Sequence, residues 1–267
     1  MKRAYADVPD GQMHYRYEGN GNVLLLLHMA GSSSDQYDRV IPFLSKEYRA
    51  IAPDYMGYGE SDRPPRQYEI IDHAQSVISF MNSMGIKKAS IAGTHVGATI
   101  CVKLAVNWPE RIDKVILSCL PYFKNAEESR KAAKNPKFQR VQIQPDGGHL
   151  IEWWRRAAQY GDPPDIVEER ALCMHKAGPR GEEIHWAIFT NTDLNEELPL
   201  IKNSTLVIAA TRDFLAAVQK DVHNLITGSK FVTIEGGGVY VDRMMPKEFA
   251  EQILVFLEER ASKFSCV

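Results

Sequence analysis

The chain of 267 residues is predicted to fold as an α/β protein, a mostly parallel central sheet flanked by helices, and three observations carry that prediction. Short β-branched and leucine-rich runs recur, each followed by a longer segment with helical spacing, as parallel strands joined by crossover helices require. The run Val23–Leu27 is apolar at every position, which suits a strand covered on both faces. At Gly93-Thr94-His95-Val96-Gly97, small residues stand two before and two after a central side chain, where a strand run gives way to a helical one.

Taken in order, Val8-Pro9-Asp10-Gly11 through Tyr17 reads as an antiparallel hairpin around an Asp-Gly turn, so the sheet is expected to be mixed at one edge. Further strands are expected at Val23–Leu27, Arg49–Ala52, Ala89–Ala92, Val115–Cys119, Leu206–Ala210 and Phe231–Ile234. Ile71–Met84 predicts a helix, with Ile71, Ala74, Val77, Ile78 and Met81 on one face and Gly85 just past its end. Strand signals stop between about Pro121 and Asn203, where polar helical segments broken by Gly and Pro take over. The expected organisation is therefore a core domain of residues 1–120 and 204–267 with a helical cap over 121–203.

Composition is that of an ordinary soluble globular protein, and the formal net charge of -2 supplies no field for nucleic acid or an anionic membrane. Lys124–Arg140 holds six basic and two acidic residues, which a solvated helix face explains better than a nucleic-acid site. Cys101, Cys119, Cys173 and Cys266 are scattered, without the spacing of a metal site, and read as reduced thiols of a cytoplasmic protein. The N-terminal residues lack the apolar core of a signal peptide, and no stretch has the length of a membrane span. Whether the chain forms a homodimer stays open.

The glycine-flanked turn has the glycine spacing of the G-x-S-x-G pattern that exposes a nucleophile above a sheet, and with four other motifs the chain resembles the α/β-hydrolase superfamily. Leu27-His28-Met29-Ala30-Gly31 resembles the His-Gly-x-Gly loop after the third strand, with Met29 replacing the first glycine. Asp54-Tyr55-Met56-Gly57-Tyr58-Gly59-Glu60-Ser61 matches the D-x-x-G-x-G-x-S turn, whose role in the family is structural. Trp108–Val115 resembles the helix end and following strand, and Leu206–Asp213 places Asp213 where the triad acid stands. The resemblance covers roughly residues 8–120 and 200–260. It implies an oxyanion hole from the backbone amides of Ala30 and Val96, and a structural rather than catalytic His28.

The catalytic pattern departs from the family twice. The elbow carries His95 where hydrolases of the fold carry serine, cysteine or aspartate, and Gly236-Gly237-Gly238-Val239 has valine where the triad histidine belongs. A Ser-His-Asp hydrolase needs a nucleophile, a base and an orienting acid. Only the acid, Asp213, is retained.

Three readings follow. In the preferred one, His95 bonds Asp213 as an acid–base pair and acts on a small, mostly apolar carbonyl or ester compound. Hydrolysis, lyase chemistry and cofactor-free oxygenation, all known on this fold, are then open. In the second, His95 is itself acylated, with His149, His175 or His185 managing protons. In the third, the runner-up, the chain is a non-catalytic descendant that binds a small molecule or a protein through the old pocket.

A His95–Asp213 metal site lacks a third ligand of recognisable spacing, and the elbow lacks the third glycine of a dinucleotide fingerprint. No cofactor is expected. Ser32, Ser33 and Ser34 are read as helix-capping residues before ligand contacts, and at most one of the adjacent Trp153 and Trp154 is expected to wall the pocket.

Overall fold

The computed structural model describes residues 1–134 and 142–259. Eight strands, β1 (Lys2–Val8), β2 (Gly11–Glu18), β3 (Val23–Leu27), β4 (Arg49–Pro53), β5 (Ala89–Thr94), β6 (Ile112–Ser118), β7 (Ser204–Ala210) and β8 (Lys230–Ile234), form one sheet in the order β1-β2-β4-β3-β5-β6-β7-β8. Pairs β1–β2 and β2–β4 are antiparallel and the others parallel, so the sheet is mixed at one edge.

The helices before the sixth strand are α1 (Ile41–Leu44), α2 (Ile70–Ser83) and α3 (Val96–Asn107). Between β6 and β7 lie α4 (Ala126–Ala133), α5 (Gly148–Ala158), α6 (Pro164–Ala177), α7 (Glu183–Asn191) and α8 (Leu194–Glu197), and the chain closes with α9 (Gln219–Leu225), α10 (Val241–Met244) and α11 (Pro246–Glu258). Helix α5 packs on α6, and α4 on α7.

The period-2 alternation of a strand explains why β3 is apolar throughout. Leu25 and Leu27 join one core cluster, with Ile91, Val115, Leu117 and the buried faces of α2 and α3. Leu24 and Leu26 point the other way, into a second cluster with Ile116, Ile208, α1 and α11. All four leucines are fully buried, and each contributes about 1.5–3 kcal/mol of transfer free energy.

Two sequence expectations shift by one residue. The hairpin pairs Val8 with Gly11, so its two loop residues are Pro9 and Asp10 and not Asp10 and Gly11. Proline presets the φ of the first loop position, and Gly11, at φ 134°, opens the strand instead. Helix α2 starts at Ile70, held by a capping box between Glu69 and Asp72. Ile70 is therefore buried and Ile71 half-buried. Gly85, at φ 66°, follows the helix end in the left-handed conformation that glycine adopts without penalty. In the basic run, Lys124 pairs with Asp221 and Lys131 with Glu127, as a solvated face would. Its residues 135–140, and Cys266, lie outside the described residues.

Candidate active site

His95 sits between the last residue of β5 and the first of α3, at φ 52° and ψ -115°. A non-glycine residue held there stores about 1–3 kcal/mol of backbone strain. The flanking glycines are required by contact. A Cβ on Gly97 would lie 1.9 Å from the Leu27 carbonyl oxygen, and one on Gly93 would lie 2.3 Å from the Gly97 carbonyl. The turn can thus press against β3 and present its central side chain above the strand ends.

That side chain reaches across the sheet. His95 Nε2 lies 2.7 Å from Asp213 Oδ2, with both groups buried. Asp213 Oδ1 accepts a second bond from the Leu215 amide at 2.7 Å. Burial raises the Asp213 pKa, but the His95 charge, its hydrogen bond and the Leu215 amide outweigh burial and hold the carboxyl below the usual range. A carboxylate accepts, so Nε2 carries the proton donated to Asp213. In the neutral ring the lone pair is then on Nδ1, which has no hydrogen-bond partner among the described residues.

His95, with Asp213 behind it, borders a cavity of about 290 Å³ lined also by Met29, Ala30, Val96, Phe214 and Val239 from the sheet side. Arg156, Tyr160, Arg170, Met174, Glu182 and His185 close it from the helical segment between β6 and β7. Val96 is the first residue of α3, so its N–H has no intrahelical acceptor. The Ala30 amide likewise donates to no described residue. Both amides thus border the cavity beside His95 with their hydrogens uncommitted.

At the position of the usual base, Val239 is buried in a small apolar cluster with Met29, Ile166 and Tyr240. Phe214, 60% exposed, meets the His95 ring edge-on at 5.6 Å and stacks on Tyr160.

A buried polar chain ties the loop after β3 to the turn after β5. Gln36 Oε1 accepts from the Met29 amide at 2.9 Å, and Gln36 Nε2 donates to Asp242 Oδ2. Thr94, next to His95, donates to the same carboxylate oxygen at 3.3 Å. Burial raises the Asp242 pKa to about 6, against the opposing pull of Gln36, Arg243, His95 and Thr94.

Sequence reasoning missed Asp242. It missed Cys119 too, which sits at φ 47° just past β6. The Cys119, His95 and Asp213 ligand atoms lie within 4.8 Å of one another, so space supplies the third ligand type that sequence spacing did not. The group nevertheless suits a hydrogen-bonded cluster better than a metal. Two ligands on a tetrahedral zinc at about 2.0–2.1 Å stand roughly 3.3 Å apart, and the His95–Asp213 separation is shorter. Burial, with Asp213 adding to it, also pushes the Cys119 thiol well up, keeping it protonated.

Among the histidines between β6 and β7, His185 lines the cavity and bonds Glu182 at 2.7 Å. His149 and His175 instead pack against Trp153, away from the cavity lining. Trp154 is exposed and neither tryptophan lines the cavity. Ser33 caps the short helical turn that follows it, accepting from the Asp35 amide. Ser32, Ser33 and Ser34 line a separate cavity. His28 donates from Nδ1 to the Met29 carbonyl and accepts at Nε2 from the Tyr55 amide. Burial lowers its pKa to about 4, so it is a neutral strut. Asp54 holds the D-x-x-G-x-G-x-S turn through His14 and the Ser34 and Glu60 amides.

The family model for the alpha/beta hydrolase fold matches residues 22–154, and the chain has that fold. It is similar to haloalkane dehalogenase 2 of Mycobacterium tuberculosis, 34% identical over 112 residues, 42% of this chain and 39% of that protein. It is similar over 94% of its length to pyrrolizixenacetamide deacetylase of Xenorhabdus hominickii, 23% identical and covering 96% of that protein. Among solved structures, the enol-lactonase from Burkholderia xenovorans LB400 superposes with a TM-score of 0.78 at 22% identity, covering 96% of this chain and all of that one. The chain spans 30–39% of the length of the first curated relatives it matches. Among the described residues, no helix is long and apolar enough to cross a membrane.

Proposed function

We propose that this protein is a cofactor-independent enzyme in which the His95–Asp213 pair replaces the Ser-His-Asp triad and acts on a small ester or other carbonyl compound. The observation that carries the reading is the 2.7 Å bond between the two side chains, at the floor of a cavity bordered by two uncommitted amides. Helices α5 to α7 act as a cap over it.

Asp213 fixes the imidazole through Nε2–H and stabilises the cation formed when Nδ1 takes a proton. In the hydrolytic version, a water gives its proton to Nδ1 while its oxygen bonds the carbonyl carbon. The carbonyl electron pair moves to oxygen, and the Ala30 and Val96 N–H groups receive that oxyanion. Collapse re-forms the carbonyl, breaks the bond to the leaving group, and returns the proton from Nδ1 to it. Superfamily relatives named as a deacetylase and an enol-lactonase support a carbonyl substrate.

The test is turnover of p-nitrophenyl butyrate and a panel of small esters and ketones. His95→Ala is expected to lower kcat/KM at least 100-fold, about the contribution of a positioned general base, and a serine-directed phosphonate should label nothing. Activity that survives His95→Ala, or phosphonate labelling that tracks with activity, overturns the reading. A folded protein inactive across the panel favours the binding-protein alternative.

A further inference from the structure

The charges around the cavity are settled by neighbours with one exception. Asp213 bonds His95, Glu182 bonds His185, and Arg156 pairs with Glu152 and reaches Glu182 at 3.9 Å. Arg170, on α6, enters no ion pair among the described residues, and its Nε and Nη1 are buried without an acceptor. Its guanidinium lies over the Tyr240 ring, 5.4 Å from the centroid, and the buried Tyr240 hydroxyl also lacks a partner. Desolvated donors on a permanent cation are costly unless an acceptor meets them.

We propose that the ligand of the His95 cavity carries a carboxylate, bound by the Arg170 guanidinium and the Tyr240 hydroxyl, while its reacting carbonyl faces His95 and the Ala30 and Val96 amides. This rests on the reading of that cavity as the substrate site. A single unpaired cation matches a monoanion, and the planar guanidinium fork matches a carboxylate.

Two rival explanations are on the same wall. Asp162 has a buried, unpartnered Oδ2, and the Arg170 charge acts on both Asp162 and Glu182, but no ion pair or hydrogen bond joins Arg170 to either among the described residues. Arg170 and Tyr240 also border the separate serine-lined cavity. Of the charges there, Arg16 is taken up by Asp35 and Asp38, Lys176 by Glu60 and Arg243 by Glu169, and Arg3 acts on Asp38 at longer range.

The experiment is calorimetric binding of 3-benzoylpropionate and of its uncharged isostere 4-methyl-1-phenylpentan-1-one, to the full chain and to Arg170→Met, Tyr240→Phe and His95→Ala. The acid should bind the unaltered protein at least 30-fold more tightly than the ketone. Arg170→Met should erase that preference with the ketone affinity kept within about twofold, and Tyr240→Phe should weaken the acid alone three- to tenfold. Tyr240→Phe keeps the ring in place and serves if Arg170→Met fails to fold. His95→Ala should retain the preference, so loss of catalysis and loss of acid recognition are read separately. An acid that binds no more tightly than the ketone, including the case in which neither binds, overturns the proposal. So does a preference that survives Arg170→Met, or one that Tyr240→Phe leaves unchanged.

Discussion

The imidazole at position 95 is long enough to reach Asp213 directly, at 2.7 Å. Its support comes from another carboxyl group. Asp242 is wholly buried, holds Gln36 and Thr94, and has a pKa raised by burial to about 6. An unfolded aspartate titrates near pH 4. From about pH 4 to 6 the folded state therefore holds the proton that the unfolded state has lost, and stability falls as pH rises through that window. The change amounts to about 3 kcal/mol over two pKa units. Asp242→Asn, which keeps an acceptor for Gln36, should gain roughly that much on the unaltered protein between pH 4 and 7 in urea denaturation. A stability difference that stays constant with pH would contradict the assignment.

At the scale of elements, the strand–turn–helix unit of β5, His95 and α3 works because two glycines let backbone touch backbone. Gly97→Ala would drive a Cβ into the Leu27 carbonyl, and thermal melting should show a loss of at least about 3 kcal/mol or failure to fold. Gly161, at φ 71° with open space around it, is the control, since Gly161→Ala should cost only about 1–2 kcal/mol from backbone strain. Equal effects at the two sites would contradict the packing argument.

This unit was legible in the sequence, since glycine spacing and the strand-to-helix change are local signals. The hairpin turn was off by one residue because Pro9 competes with the Asp-Gly signal for the first loop position. Cys119 and Asp242 stand at unremarkable positions after a strand and in a short helix. Cys119 is a neighbour of His95 because β6 lies beside β5, and Asp242 reaches Thr94 because α10 packs against the short turn Ser34–Tyr37, neither of which a local pattern encodes. Arg170 and Glu182 were equally hidden, because a charged residue on a polar helix reads as solvent-facing until a packing partner is known.

On the scale of the whole molecule, the site exists only where the sheet ends and the helical segment meet. His95 comes from the turn after β5, Asp213 from the loop after β7, Ala30 from the loop after β3, and the far wall from α5, α6 and α7. Motif order let the sequence propose the first three. The wall depends on how that segment docks, so ligand chemistry emerges only from the assembled cavity.

Residues so far apart along the chain act as one unit only if the fold couples them, and the kcat/KM cycle of unaltered protein, His95→Ala, Asp213→Asn and the double variant measures that coupling. Asp213→Asn is expected to lower kcat/KM substantially, His95→Ala to lower it at least 100-fold, and the double variant to be no worse than His95→Ala alone. Losses that multiply across the two sites, or turnover that persists without His95, would contradict a catalytic His95–Asp213 pair.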